Sequence, residues 1–565
     1  MPILSRVSGL ETELAMRPIG DRLQGATWRR RAFDALTREL SDELPTAGPL
    51  DPARLGVFLA NGGAVWFEAV YSRSGMVELA TPECRGPSEL IAYQRAMERL
   101  ACQAAARVGV SLIKNDQDST GETYGAQENY QVELDTLLER WGWRLGLVGL
   151  LPLIVLSAVL RFVLYGLYWV YLLFGLLAVA VAFAWSKDAG RRMAIRFWGE
   201  DLIRHGAEYV VLPDWLERLS RSLMVLAASP VLFGLWMLAS CTWLRRRRRQ
   251  LSAFLVSRVL FAGTGSVDRS GGFLLADKAP AINVQLGYAG LFGQHPIFPL
   301  GHLVKGLLGS LGGSIPAYGR LFRRRHRLQI ALGDSNRAEH AEYLKVGATM
   351  LVLDAAEAGY LDDAPSFVSP IEALRTYTRD VSLTRGAACR DGHERTALEV
   401  QRYYFKRCFE FVLDSGEDSP EAKAVLARWE ETLAALEASA ATGTAHESLV
   451  GSIDWVTKQY FLDRLEPSAA WHVRKKADIR YHELSSEGYF EALAIANLVP
   501  RVVDERAVEQ AMRLPPRGTA ATKRGRMIRE FGSSDYTLLV GWERLIIRVR
   551  GGQRSIRLDH GEPKQ

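Results

Sequence analysis

Four groups of acidic and amide side chains fall where the chain reads as strand or loop. They are Glu11 and Glu13 in Gly9-Leu10-Glu11-Thr12-Glu13-Leu14; Glu68, Glu78 and Glu83 within Asn61–Glu83; Lys114-Asn115 and Asp118 with Glu128-Asn129; and Asp334-Ser335-Asn336. Strand side chains alternate between faces, so Glu68 and Glu78 are carboxylates set into apolar β structure around Ala64–Phe67 and Val77–Ala80. A carboxylate inside a sheet is costly unless a cation meets it. One such glutamate is ordinarily a solvated strand end, but three acidic strands together imply a metal-binding floor. Oxygen donors of this kind suit magnesium, the ion that partners nucleotide phosphates. HExxH, CxxC, GxSxG and Walker phosphate-loop patterns do not occur, which removes zinc-hydrolase, serine-hydrolase and P-loop ATPase chemistry.

The elements that must carry these groups follow from periodicity. Residues 61–83 read as two short strands joined by a turn at Ser72-Arg73-Ser74-Gly75. An amphipathic helix is expected over 22–47, from Leu23, Trp28, Phe33, Leu36 and Leu40, and a second over 87–108. Val110–Lys114 and Glu128–Glu133 read as strands on either side of a polar loop, Asn115–Gly125. Further on, a strand over Arg327–Leu332 leads into Asp334-Ser335-Asn336 and a helix over Glu339–Ala358. Residues 397–440 read as long and helical. Strands over Tyr536–Trp542 and Leu545–Arg548 close a small C-terminal α+β domain, and the glycine-rich residues 288–320 carry no assignment.

The 565 residues suffice for several domains. A net charge of +6, from 70 Lys and Arg against 64 Asp and Glu, is concentrated in Arg245–Arg249 and Arg323–Arg325 and does not argue for nucleic acid as a partner. Five scattered cysteines fit a reducing compartment, and the polar start is unlike a signal peptide. At Trp141 the composition changes. Leu145–Trp185 is apolar except for Arg161, and Leu223–Leu244 is apolar up to the arginine run. Such stretches predict membrane-spanning helices, and the bilayer becomes a partner. Two arrangements fit. Either Phe162–Trp185 and Leu223–Trp243 each span, with Leu145–Leu160 lying at the interface, or Leu145–Trp185 is a two-span hairpin broken at Pro152 or Arg161 and Leu223–Trp243 is re-entrant. The arginine run sets its end in the cytoplasm.

Several motifs then occur in a fixed order: Gly9–Glu13, Asn61–Glu68, Glu78–Cys84 and Lys114–Tyr130, and after the apolar insert Ala253–Arg258, Arg327–Asn336, Leu344–Gly347, Ile453–Trp455, Asp478–Glu483 and Pro515-Pro516. Together they resemble the Pup ligase and Pup deamidase/depupylase family, and the form of Gly9–Glu13 and the short interval that follows it are closer to the ligase branch. The resemblance implies an α+β, glutamine-synthetase-like fold, an antiparallel sheet packed by helices. Residues 1–140 and 251–477 would be the two parts of the catalytic domain, 141–250 an inserted transmembrane module and 478–565 the C-terminal domain. Because the catalytic parts flank the insert, the number of membrane crossings is expected to be even, with a cytoplasmic catalytic domain in a multi-pass cell-membrane protein.

The resemblance also implies ATP and magnesium, a Pup-like ubiquitin-like protein and lysine-bearing targets. The expected reaction phosphorylates the tag's C-terminal glutamate and forms an isopeptide bond to a lysine; deamidation or isopeptide cleavage of the same tag is the alternative. Position by position, Glu11 and Glu78 match magnesium ligands, with Glu13 in the same metal set. Thr81 and Trp542 match ATP contacts, and Glu68 takes the place of the catalytic aspartate. The chain departs from the family where an ATP-binding arginine becomes Ala64, a metal-coordinating tyrosine becomes Trp66, and two histidines become Gln127 and Gln329. Arg73, Lys114 and Arg327 are the cations that could compensate; without compensation a weakened paralogue that only binds the tag is implied.

Overall fold

The computed structural model describes residues 2–20, 25–51, 54–69, 74–114, 124–133, 136–206, 209, 211–278, 318–443, 447–466, 468–532, 537–549 and 552–558. Ser72, Arg73, residues 115–123, most of the glycine-rich stretch (279–317) and Tyr536 lie outside these.

The alternating segments build one mixed sheet, of twelve strands among the described residues. They are β1 (Val7–Pro18), β2 (Thr46–Pro49), β3 (Leu55–Leu59), β4 (Ala64–Glu68), β5 (Met76–Ala80), β6 (Cys84–Arg85), β7 (Val110–Ile113), β8 (Ala126–Glu133), β9 (Arg325–Gly333), β10 (Thr537–Val540), β11 (Arg544–Val549) and β12 (Gly552–Arg557). The order across it is β9-β8-β1-β5-β4-β3-β2-β10-β11-β12, with β6 and β7 also on β1. The α+β, largely antiparallel expectation holds, with one parallel pair, β2 with β10 (Gly48 opposite Leu539). Through that pair the last strands extend the main sheet, so residues 478–565 do not close a sheet of their own.

One face of the sheet is packed by helices. In β1, Leu10 and Leu14 are buried toward them, and Gln94 of the Pro87–Arg107 helix reaches Thr12. Phe67 of β4 lies 5.3 Å from Phe33 of the Trp28–Glu43 helix. Glu11, Glu13, Trp66 and Glu68 alternate with these residues and so belong to the opposite face. The helical region after residue 397 is divided. Ala397–Ser415 starts at a Thr396/Glu399 capping box and stops at left-handed Gly416 (φ 63°); Ser419 then caps Pro420–Thr442.

The insert holds two long apolar helices, Leu151–Trp185 and Asp214–Cys241; the second runs antiparallel to the segment that leads into the first, with Gly146 against Leu238 and Gly234 against Leu150. The first is unbroken over 35 residues, so the hairpin expected at Pro152 or Arg161 does not form. Pro152 sits in the first turn, where its missing N–H costs nothing, and Arg161 is buried with its guanidinium donating to the Ser157 carbonyl. The most apolar 18-residue window of that helix has mean hydropathy 2.2 and is 11% buried; that of the second, 1.9 and 35%. Both flanks of the long helix touch the catalytic part. Trp143 and Leu147 join the main core before it. Beyond it, Asp201 accepts the Thr27 amide (2.8 Å) and the Tyr209 hydroxyl donates to Asp34 (2.9 Å).

Candidate active site

Register decides which acids meet. Glu13 of β1 pairs across to Glu78 of β5, and Glu78 pairs across to Trp66 of β4, two residues from Glu68 on the same face. Cross-strand neighbours on one face lie within side-chain reach. The carboxylate oxygens of Glu13, Glu68 and Glu78 accordingly lie within 4.8 Å of one another. Glu13 and Glu78 are 8% and 2% exposed, and Glu68 is half-buried at the strand end. Gln127 of β8 donates to Glu13 at 3.1 Å and is itself hydrogen-bonded by Gln329 of β9. The two glutamines at the family's histidine positions thus form an uncharged bridge onto the trio.

Glu11, on the same face, stands apart from this trio. Its carboxylate accepts from Arg327 at 2.5 Å, and Arg327 also donates to Asn129 (2.7 Å). Thr81 is buried and binds β1 twice, its hydroxyl accepting the Leu10 amide (3.0 Å) and its amide donating to the Leu10 carbonyl (2.9 Å). It fixes the β1 backbone one residue before Glu11. Trp542, after β10, meets Phe58 of β3 edge-on at 5.1 Å, and Phe58 meets Trp66 edge-on at 5.0 Å. An aromatic row therefore runs from the carboxylate trio to Trp542.

Arg524 secures the end of that row. Fully buried, it donates to the Gly62 carbonyl (3.1 and 2.8 Å), pairs with Glu83, and lies over the Trp542 ring at 4.6 Å. Sequence reasoning missed it, since Glu83 was grouped with the metal acids and the helix Ala520–Phe531 gave no site signal. Lys278 was missed too. Gly125 lies opposite Glu13, its carbonyl accepting the Glu13 amide, and a Cβ there would come within 2.2 Å of the Lys278 ammonium. Glycine at 125 makes room for that cation.

The remaining acidic groups hold the scaffold. Lys114 is buried on the helix-packed side against Glu98 (2.6 Å), Glu342 (3.0 Å) and the Asn336 carbonyl (2.6 Å), so it does not replace a cation on the acidic face. Burial works to raise the Glu342 pKa, but Lys114, Lys345 and Arg95 together outweigh it and hold this carboxyl at about 2. Glu128 forms a buried two-point pair with Arg258, at 2.9 and 2.5 Å. Asp334 accepts the amides of Thr264, Asp277 and Lys278 (2.8, 2.9 and 3.0 Å).

The Pup-ligase protein family profile matches residues 18–546. The chain belongs to the Pup-ligase family. Membership makes it an ATP-dependent ligase by class. The Pup–protein ligase of Acidimicrobium ferrooxidans is 28% identical over 99% of this chain and 96% of its own length. The depupylase of Acidothermus cellulolyticus is 25% identical over 94% of this chain and 83% of its own. Of the two, the ligase match is closer and longer, in keeping with the ligase branch. The fold is shared with PafA in the crystal structure of the complex between Pup and its ligase PafA, at TM-score 0.64 and 19% identity over 98% of this chain and 89% of that one.

For this Pup-ligase family member the donor set fits the implied magnesium. Glu13 and Glu78 supply buried hard oxygen ligands that one ion can bridge, and the Glu68 carboxylate stands within 4.8 Å of both. The aromatic row beside them offers a nucleotide base an apolar edge to pack against.

Proposed function

We propose that this chain uses ATP to activate the C-terminal glutamate of a Pup-like small protein and joins it to a lysine of a target protein. The observation that carries this reading is the convergence of Glu13, Glu68 and Glu78 on one sheet face, beside the Trp66–Phe58–Trp542 row. Glu13 and Glu78 would hold magnesium, which when bound neutralises phosphate charge. In the first step an oxygen of the tag's carboxylate takes the γ-phosphoryl group and ADP leaves. In the second the lysine nitrogen attacks the acyl carbon, the C–N bond forms, and the C–O bond to phosphate breaks. Glu68, the most exposed of the three acids and at a strand end, takes the amine proton. Arg524 keeps Trp542 in place for the nucleotide.

Glu68→Ala tests the assignment. ADP release driven by tag and amine is expected to fall about a hundredfold or more, with magnesium–nucleotide affinity within about threefold of the parent. Unchanged turnover would exclude Glu68 as the base.

We propose further that the ligase works at a membrane, with the catalytic domain on the cytoplasmic side. The Leu151–Trp185 helix supports this. Phe162, Trp169, Phe174, Leu177 and Trp185 are 62–90% exposed, while its one charged residue, Arg161, is turned inward. Each apolar side chain of this size gains about 1.5–3 kcal/mol on leaving water, so water is a poor partner for such a surface. Arg246, in the arginine run at the end of the insert, pairs with Asp362 of the catalytic part (3.0 Å). Both flanks of the long helix also reach the catalytic part, which favours a helix pair embedded along the cytoplasmic leaflet over a pair that crosses.

A further inference from the structure

Three carboxylates and a nucleotide's phosphates concentrate negative charge at one place, and most nearby cations are committed elsewhere. Arg327 is held by Glu11 and Asn129, Arg524 by Glu83 and the Gly62 carbonyl, Lys114 by Glu98 and Glu342, and Lys278 stands at the Glu13 end of the trio. Arg54 differs from all of these. The β3–β4 register pairs Leu55 with Phe67 and Gly56 with Trp66, so Arg54, the next residue out, faces Glu68 across the pair. Its guanidinium carbon lies 5.2 Å from the centre of the Trp66 ring, and it makes no ion pair or side-chain hydrogen bond among the described residues.

Trp66 can serve as that platform because residue 56 is glycine. A Cβ at Gly56 would fall 2.7 Å from the indole ring and 2.1 Å from the Val65 carbonyl, and the φ of +145° is one that side chains rarely adopt. The ring also stands directly across from Glu78, and its buried Nε1 meets no acceptor among the described residues. A guanidinium resting on an aromatic ring keeps its N–H fork available for oxyanions, and a phosphoryl group accepts it at two points.

We propose that Arg54 receives the terminal phosphoryl group of the nucleotide at the Glu68 end of the site, with Trp66 as its platform. The uncharged position 64, opposite Phe58 in the same strand pair, is thereby offset from the neighbouring strand. This rests on the nucleotide reading above and adds to it a specific phosphate contact. The contact discriminates triphosphate from diphosphate, because only the triphosphate carries the group that Arg54 meets.

Calorimetric titration of the full chain with magnesium and either ADP or a non-hydrolysable ATP analogue tests this. Arg54→Ala is expected to weaken the analogue about tenfold to a hundredfold, the range for a lost hydrogen bond between charged groups, while ADP affinity stays within about twofold. Trp66→Leu, which removes both the platform and one member of the aromatic row, is expected to weaken the analogue more than it weakens ADP. Arg54→Lys keeps the charge without the fork and is expected to lose at least about fivefold for the analogue; it carries the test should Arg54→Ala fail to melt cooperatively. Equal losses for both nucleotides, or none for either, would overturn the role given to Arg54. A parent protein that binds neither nucleotide with magnesium would overturn the nucleotide reading, and this inference with it.

Discussion

Glu13 and Glu78 face one another across β1 and β5 almost out of contact with water. Two carboxylates so placed repel unless a cation joins them, which is why their register speaks for a metal and Glu11, salt-bridged to Arg327, speaks less for one. Other buried groups are tuned for structure. Burial holds the imidazole of His340 at about 4, with Arg428 adding to the effect, and burial likewise holds His326 at about 4, with Arg144 acting in the same direction. Both are depressed from 6.5, so between pH 6.5 and 4 the unfolded chain binds protons that the folded chain refuses. Their contribution is complete above pH 6.5 and is lost as pH falls toward 4. Asp277, raised by burial to about 6, works the other way over the range from its ordinary 3.8 to 6, one group against two. The melting temperature is therefore expected to fall from pH 6.5 to 4, with a shallower fall in His340→Gln. An identical slope in parent and variant would contradict this role for His340.

At the scale of elements, the insert gives the sharpest expectation. Single cysteines at Ser186 and His205, in a background lacking Cys241, are to be labelled with a membrane-impermeant maleimide in vesicles of known orientation. Since Asp201 and Tyr209 are bonded to Thr27 and Asp34 of the catalytic part, His205→Cys is expected to react from the same side as the catalytic domain. Reaction only from the opposite side would show that the helix pair crosses. Much of the surrounding architecture was legible in the chain. The Ala64–Glu68 and Met76–Ala80 strands announce themselves by alternation, and the Pro87–Arg107 helix by its opening proline and apolar spacing. The acids of the site were also legible as residue types. What was not legible is pairing between distant segments. Nothing local says that Arg327 of β9 will reach Glu11, that Arg524 will lock Glu83 to Trp542, or that β10 will join β2 and extend the first sheet. Of the two arrangements open for the insert, the hairpin does not form at Pro152 for a definite reason: proline in a first turn does not break a helix.

The molecule as a whole is one sheet with two functions for its faces. Helices Pro87–Arg107 and Glu339–Glu357 are tied by Gln94, Arg95, Lys114 and Glu342 into a buried charged knot, which Gln94 joins to Thr12 of β1. The other face carries the Glu13–Glu68–Glu78 trio and the aromatic row, and the C-terminal strands close that row with Trp542. An apolar helix pair packs against the same body, and on the proposed reading it brings chemistry on a protein tag to a membrane. The central claim is that this face forms an isopeptide bond at the expense of ATP. Incubating the purified full chain with ATP, magnesium, a Pup-like peptide ending in glutamate and a lysine-bearing acceptor, and following ADP and adduct mass together, tests it most directly. About one ADP per adduct, with loss of one water from the summed masses, is expected. Release of ammonia or of tag from a conjugate without net ADP, or neither product despite bound peptide, would contradict it.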